Sequence, residues 1–147
     1  MLTTSPSPAT LAGRLQLVLA RTARRLRQEA GADLSPSLSS ALASIDRHGP
    51  VTPSDVAAHE RVQRPTATRV IGRLEELGLV DRAPDPSDRR SSLLSASPEG
   101  RALLRRLRTR KSQYLALRLA GLDAGELETL DRAAAILERM LDEEGRR

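Results

Sequence analysis

Cysteine is absent from this 147-residue chain. That excludes disulfides, thiolate ligation of zinc or iron–sulfur clusters, and a thiol redox switch. Phenylalanine and tryptophan are absent too, and Tyr114 is the one tyrosine. A core must therefore be assembled from aliphatic side chains. Valine and isoleucine total nine against 25 leucines and 20 alanines. This balance favours helix, because β-branched residues lose more rotamer freedom there than leucine or alanine. No apolar run approaches the roughly 20 residues that span a bilayer. The start, MLTTSPSPAT, lacks a basic segment and an apolar segment of the secretory kind. The expectation is a soluble cytoplasmic protein with no membrane partner.

Catalytic signatures are missing as well. There is no glycine-rich phosphate loop, no nucleophile elbow and no carboxylate pair at a recognisable spacing. The serines cluster at helix starts and loops, where their hydroxyls serve as caps. His48 and His59 are the only histidines and have no cysteine beside them. We expect no enzyme, no cofactor and no metal site.

What is present is arginine. Lysine plus arginine number 24 against 19 acids, a formal charge of +5, and 23 of those cations are arginine. A modest basic excess hints at a polyanionic partner. Its distribution is uneven. Arg61 to Leu74 holds four arginines and no acid, and Arg101 to Arg118 holds six arginines and Lys111 with none. Residues 123–144 hold eight acids and two arginines.

Residues 1–9 read as a flexible arm. Leu11, Leu15, Val18, Leu19, Thr22 and Leu26 then recur at helical spacing until Gly31. Ser35-Pro36 opens a second helix that Gly49-Pro50 closes, with Leu38, Ala41, Leu42 and Ile45 as its buried stripe. Thr52, Pro53 and Asp55 form a capping box for a short helix over about 52–60. Pro65 and Gly78 bound a fourth helix from Arg64 to about Leu77, with Ala67, Val70, Ile71, Leu74 and Leu77 on one face. Leu79-Val80 and Leu93-Leu94 read as two short strands joined by a long exposed loop. Ser97-Pro98 starts a helix running to about residue 120, with Leu103, Leu104, Leu107, Tyr114, Leu115 and Leu119 on its stripe. Asp123 and Glu126 form a second capping box before Leu127, Leu130, Ala134, Leu137 and Leu141.

The order predicts a mainly α fold with a small β-wing: a winged helix-turn-helix over 34–97, flanked by dimerisation helices at 10–33 and 98–147. In a helix-turn-helix the second helix enters the major groove. Gln63, Arg64, Thr66, Thr68, Arg69 and Arg73 have the chemistry for that face, since arginine bonds guanine bidentately and threonine offers a hydroxyl or a methyl. At the wing, Asp88, Arg89 and Arg90 are candidates, with Asp88 placed to hold the Arg90 guanidinium for the minor groove. The competing reading is a solvated helix face and a polar loop, or a winged helix that binds protein.

The run from Leu34 to Gly100 resembles the MarR family, winged-helix regulators named for multiple antibiotic resistance. RPTATRVIGRLEELGLVDR at 64–82 and DPSDRRSSLLSASPEG at 85–100 carry the resemblance, the second with the wing signature Asp88-Arg89-Arg90. The resemblance implies a homodimeric regulator on double-stranded DNA that represses or activates at a pseudopalindromic operator, often its own, and a repressor is the expectation here. Many members bind small, often aromatic, anionic molecules between the dimer helices and the DNA-binding lobe, so the resemblance leaves room for such an effector here. It also implies that Arg90 is the minor-groove residue and Asp88 its orienter. Three positions depart from the family pattern: Glu60-Arg61 replace an apolar residue and a turn glycine, Gln63 replaces a better cap, and Ala96-Ser97 replace Leu-Thr.

Overall fold

A computed structural model of the chain describes residues 5–31 and 33–145. The elements run α1 (Pro8–Ala30), α2 (Pro36–His48), α3 (Pro53–Glu60), α4 (Arg64–Glu76), β1 (Val80–Asp85), β2 (Asp88–Ala96), α5 (Pro98–Leu119) and α6 (Ala124–Glu144). Side chains start several of these helices. Ser7, Ser35, Thr52 and Asp123 each accept the backbone N–H three residues on, and both capping boxes close reciprocally. The flexible arm is shorter than expected, because the Ser7 hydroxyl and Pro8 start α1 within it. Residues 1–4 of that arm lie outside the described residues.

Two compact units divide the chain, Met1–Lys111 and Ser112–Arg147. The core of the first joins Leu42 and Ile45 of α2, Val56 of α3, Ile71 and Leu74 of α4, Leu94 of β2, and Leu103 and Leu107 of α5. The α2, α4 and α5 members belong to stripes the sequence spacing marks; Val56 is unmarked, and Leu11, Val18 and Leu19 of the stripe marked on α1 are exposed instead of joining this core. Leu77 departs from the α4 stripe: it caps α4 from just outside the helix and is exposed. Arg110 of α5 closes the end of α1, donating to the Ala30 carbonyl at 2.7 Å and to Asp33 at 3.0 Å.

The expected long loop between two short strands is instead a paired ribbon. β1 and β2 run antiparallel from Val80↔Ala96 out to Asp85↔Asp88, leaving only Pro86 and Ser87 at the tip. The ribbon buries little beyond its base, so its residues lack the apolar alternation that signals a strand. Asp85 closes the tip by accepting from the Ser87 N–H at 2.9 Å and the Ser87 hydroxyl at 2.8 Å. At the base, Val51 pairs with Leu94 through bonds of 3.0 and 2.7 Å, so the segment between α2 and α3 is tied to the two-stranded sheet by a single bridge.

In the second unit α6 has no buried residue, and Leu127, Leu130 and Leu141 of its expected stripe are exposed. The guanidinium of Arg118 lies 5.3 Å from the centre of the Tyr114 ring.

Candidate nucleic-acid interface

The turn between α3 and α4 comprises Arg61, Val62 and Gln63. Arg61 adopts the left-handed conformation, with φ of 53°. Its N–H reaches the Ala58 carbonyl at 3.2 Å, and the Val62 N–H reaches the Ala57 carbonyl at 3.0 Å. Those two bonds form a Schellman closure, which usually places glycine at the left-handed position. The turn thus keeps its geometry with an arginine where glycine is favoured. Glu60 also has a structural reason: its carboxylate accepts the Ser40 hydroxyl at 2.8 and 3.1 Å, tying α3 to α2.

Gln63 stands at the N-cap of α4 and makes no side-chain cap bond. Gln63, Arg64, Thr68, Arg69 and Arg73 are exposed, whereas Thr66 is half-buried. Their side chains are not equally free. Arg64 donates to the Ser54 hydroxyl at the start of α3. The Thr68 hydroxyl donates to the Arg64 carbonyl at 3.0 Å, so its donor is engaged. Arg73 pairs with Glu76 at 3.1 Å. Among the described residues the guanidinium groups of Arg61 and Arg69 have no partner in the chain.

At the wing, Asp88, Arg89 and Arg90 are all exposed. Asp88 does not hold the Arg90 guanidinium. Its Oδ1 accepts the Arg90 backbone N–H at 2.9 Å. A carboxylate two residues before an N–H closes a local turn more readily than it reaches a long flexible head group. Asp88 thus fixes the backbone from which Arg90 projects. The Ser87 N–H and hydroxyl hold the Asp85 carboxyl below the ordinary aspartate range.

The MarR family profile matches residues 34–92. An HTH-type transcriptional regulator of Mycobacterium tuberculosis is 40% identical over 138 residues, 93% of this chain and 96% of that one. The multiple antibiotic resistance protein MarR of Salmonella typhimurium is 31% identical over 100 residues, 67% of this chain and 69% of that one. The chain belongs to the MarR family. A crystal structure of a transcriptional regulator protein from Pseudomonas aeruginosa superposes with a TM-score of 0.80 at 34% identity, covering 91% of this chain and 96% of that one. The protein is accordingly a transcriptional regulator with the winged-helix fold, and its relatives are regulators rather than enzymes.

In this MarR-family chain the sequence pattern leaves one group unmarked. Arg82 of β1 forks onto Glu75 of α4, its Nη2 lying 2.6 Å from Oε1 and its Nε 3.2 Å from both carboxylate oxygens. Its Nη1 donates to the Ser92 hydroxyl on β2. The Glu75 carboxylate raises the Arg82 pKa further above its ordinary value. A second unmarked contact is the stack of His48 on His59, with ring centres 4.1 Å apart and planes inclined by 5°. The only sequence hint of either was a charge or ring of suitable type, with no spacing to link the partners.

A cavity of about 730 Å³ opens between α1, α2 and α5, with Arg24, Arg27, Leu34, Leu107 and Lys111 among its walls. No cluster of three or more metal-binding side chains occurs among the described residues. No helix among them is long and apolar enough to cross a membrane.

Proposed function

We propose that the chain is a homodimeric repressor that places α4 in the major groove of a pseudopalindromic operator and a wing arginine in the adjacent minor groove. The observation that carries this reading is the exposed, acid-free face from Arg61 to Arg73. Ordinary solvated helices intersperse both signs, but this face offers unpaired arginines beside the uncapped N-terminus of α4. Free N–H groups and the positive end of the helix dipole favour a phosphate there. In this reading Gln63 and Arg64 lie at the entry to the groove, with Thr66 at its side wall. Thr68, its hydroxyl donor engaged, offers its methyl, and Arg69 reads a base edge. Arg73 gives up an exposed ion pair of little strength. Arg89 and Arg90 supply the wing contact. A winged helix that docks on protein would instead present a broad apolar patch on this face.

Unburied leucine supports the dimer. Leu17 is 61% exposed on α1, Leu117 is 77% exposed on α5 and Leu141 is 68% exposed on α6. Helices longer than one winged helix needs, each with open aliphatic surface, are suited to a second copy. Repression follows most simply, because a bound dimer acts by occupancy alone. The cavity beside Arg24, Arg27 and Lys111 has the volume and mixed lining of a ligand site, and its three cations suit a small anionic effector, including aromatic carboxylates.

Selection of bound duplexes from a randomised library tests the reading. The expected product is a pair of inverted half-sites about one helical turn apart. Arg69→Ala then relaxes preference within each half-site by about 1–3 kcal/mol if its contact is bidentate. Recovery of no duplex overturns the reading, as does a 16 kDa species in sedimentation at micromolar concentration.

A further inference from the structure

The ribbon leaves the winged-helix core at Val80 and Ala96. Its base is anchored by Leu94 in the core and by the Val51 bridge. Beyond the base, Asp81, Arg82, Ala83 and Pro84 are exposed. One guanidinium spans this junction. Arg82 meets Glu75 in the last turn of α4 and Ser92 on the opposite strand. In the ladder Arg82 faces Leu94 and Pro84 faces Ser92, so Ser92 is Arg82's diagonal neighbour on the same face. One planar fork therefore joins α4, β1 and β2, and a planar fork fixes direction as well as distance.

We infer that Arg82 and Glu75 form a latch that sets the wing's angle to α4, making Arg82 a positioning residue for Arg90 and not itself a phosphate contact. This inference rests on the DNA-binding reading above. The latch acts by leverage. About 15 Å of ribbon lies beyond Arg82, so a tilt of about 10° at the base moves the tip by about 3 Å. Arg90 stands about halfway along that length, between the Pro84↔Ser92 and Asp85↔Asp88 pairs, so the same tilt shifts its backbone by roughly 1.5 Å, enough to break a hydrogen bond of ideal length. The pair is partly open to solvent, with side chains 42% and 30% exposed, so its strength is reduced by screening. The Glu75 carboxylate also neutralises Arg82, leaving Arg89 and Arg90 as the wing's free cations among the described residues.

A double-mutant cycle on the full chain, using a duplex selected by the wild type, tests the latch. Glu75→Gln and Arg82→Gln are each expected to weaken binding roughly three- to tenfold, and the two together no more than either alone. In an Arg90→Ala background neither is expected to cost more than about twofold, because the wing then has little to position. If Arg82 touches phosphate, its full cost persists in that background and Glu75→Gln tightens binding by freeing a cation. Either result overturns the inference. Amide exchange in the free protein supplies a readout that needs no DNA. Glu75→Gln should speed exchange across Val80–Ala96 at least about threefold while amides of α2 stay unchanged. Unchanged wing exchange means there is no latch. Selection of no duplex by the wild type, with faster wing exchange in the variant, leaves the latch in place and removes the DNA-binding reading and Arg82's part in it.

Discussion

The Ser97 hydroxyl donates a hydrogen bond to the Gly78 carbonyl at 2.6 Å. The same oxygen accepts the Gly100 N–H at 3.0 Å, and Ser97 is buried. One side chain thus starts α5 and secures the left-handed residue that ends the α4 segment. Its backbone N–H also reaches the Leu79 carbonyl at 2.9 Å. Ser97→Ala leaves the Gly78 carbonyl and the Gly100 N–H without this partner. The expected loss is about 1–3 kcal/mol of unfolding free energy, with an unchanged denaturant slope. Ser97→Thr should recover part of it. Urea titrations of the three proteins measure this, and a Ser97→Ala midpoint equal to wild type would show that the bonds contribute nothing net.

Arg61 holds a backbone conformation that costs a non-glycine residue about 1–2 kcal/mol. Its side chain has no partner among the described residues to offset that cost, and the proposed DNA-binding reading gives its cation a phosphate to meet. Arg61→Gly is expected to raise stability by roughly 1 kcal/mol while weakening DNA binding and lowering the salt slope by about one unit. Thermal unfolding and affinity at several salt concentrations check the two signs together. A variant that is both more stable and equally tight in binding would remove Arg61 from the interface.

The elements legible in the sequence were those whose ends are chemically marked. Ser35-Pro36, the Thr52/Asp55 box, Gly78 and the Asp123/Glu126 box each specify a backbone state locally, and α2, α3, α4 and α6 begin or end where they stand. Gly100 is equally constrained, since a Cβ there would lie 2.2 Å from the Leu79 carbonyl oxygen. The outer ribbon was illegible because both its faces are polar, which removes the period-two signal. The Arg82–Glu75 contact was illegible for another reason: it depends on the turn at Leu77-Gly78 bringing β1 back along α4. Of the candidate interface, composition could mark the residue types, but not which arginines were already engaged. Arg64 and Arg73 have partners within the chain, whereas Arg69 has none among the described residues.

The Asp55 carboxylate accepts the Thr52 backbone N–H at 2.9 Å. That bond, with the Thr52 hydroxyl as a smaller cause, lowers its pKa from the ordinary 3.8. A depressed folded-state value adds stability that is present above the unfolded value and lost as pH falls through the folded value. The contribution of Asp55 should therefore be complete above about pH 4 and disappear below it. Asp55→Asn is expected to narrow the stability difference between pH 6 and pH 3, as read by urea midpoints. Asp55→Asn and wild type losing stability in parallel across that range would mean the box is not sensed by folding.

Asp88 gives two opposed expectations for DNA binding. Its charge repels phosphate, so removing it should tighten binding. Its Oδ1 accepts the Arg90 N–H, so removing that acceptor should loosen the turn from which Arg90 projects. Asp88→Asn separates the two, because an amide oxygen keeps the acceptor and drops the charge. We expect Asp88→Ala to weaken binding and Asp88→Asn to match or exceed wild type. The contrast should be greatest on duplexes with A·T-rich flanks, where a narrow minor groove draws arginine most strongly. It should also vanish in an Arg90→Ala background, since the turn then carries no guanidinium to place. Affinities of the single and double variants at two salt concentrations decide between the roles. Equal tightening by both substitutions would mean that charge alone governs this position and that the backbone bond has no part in recognition.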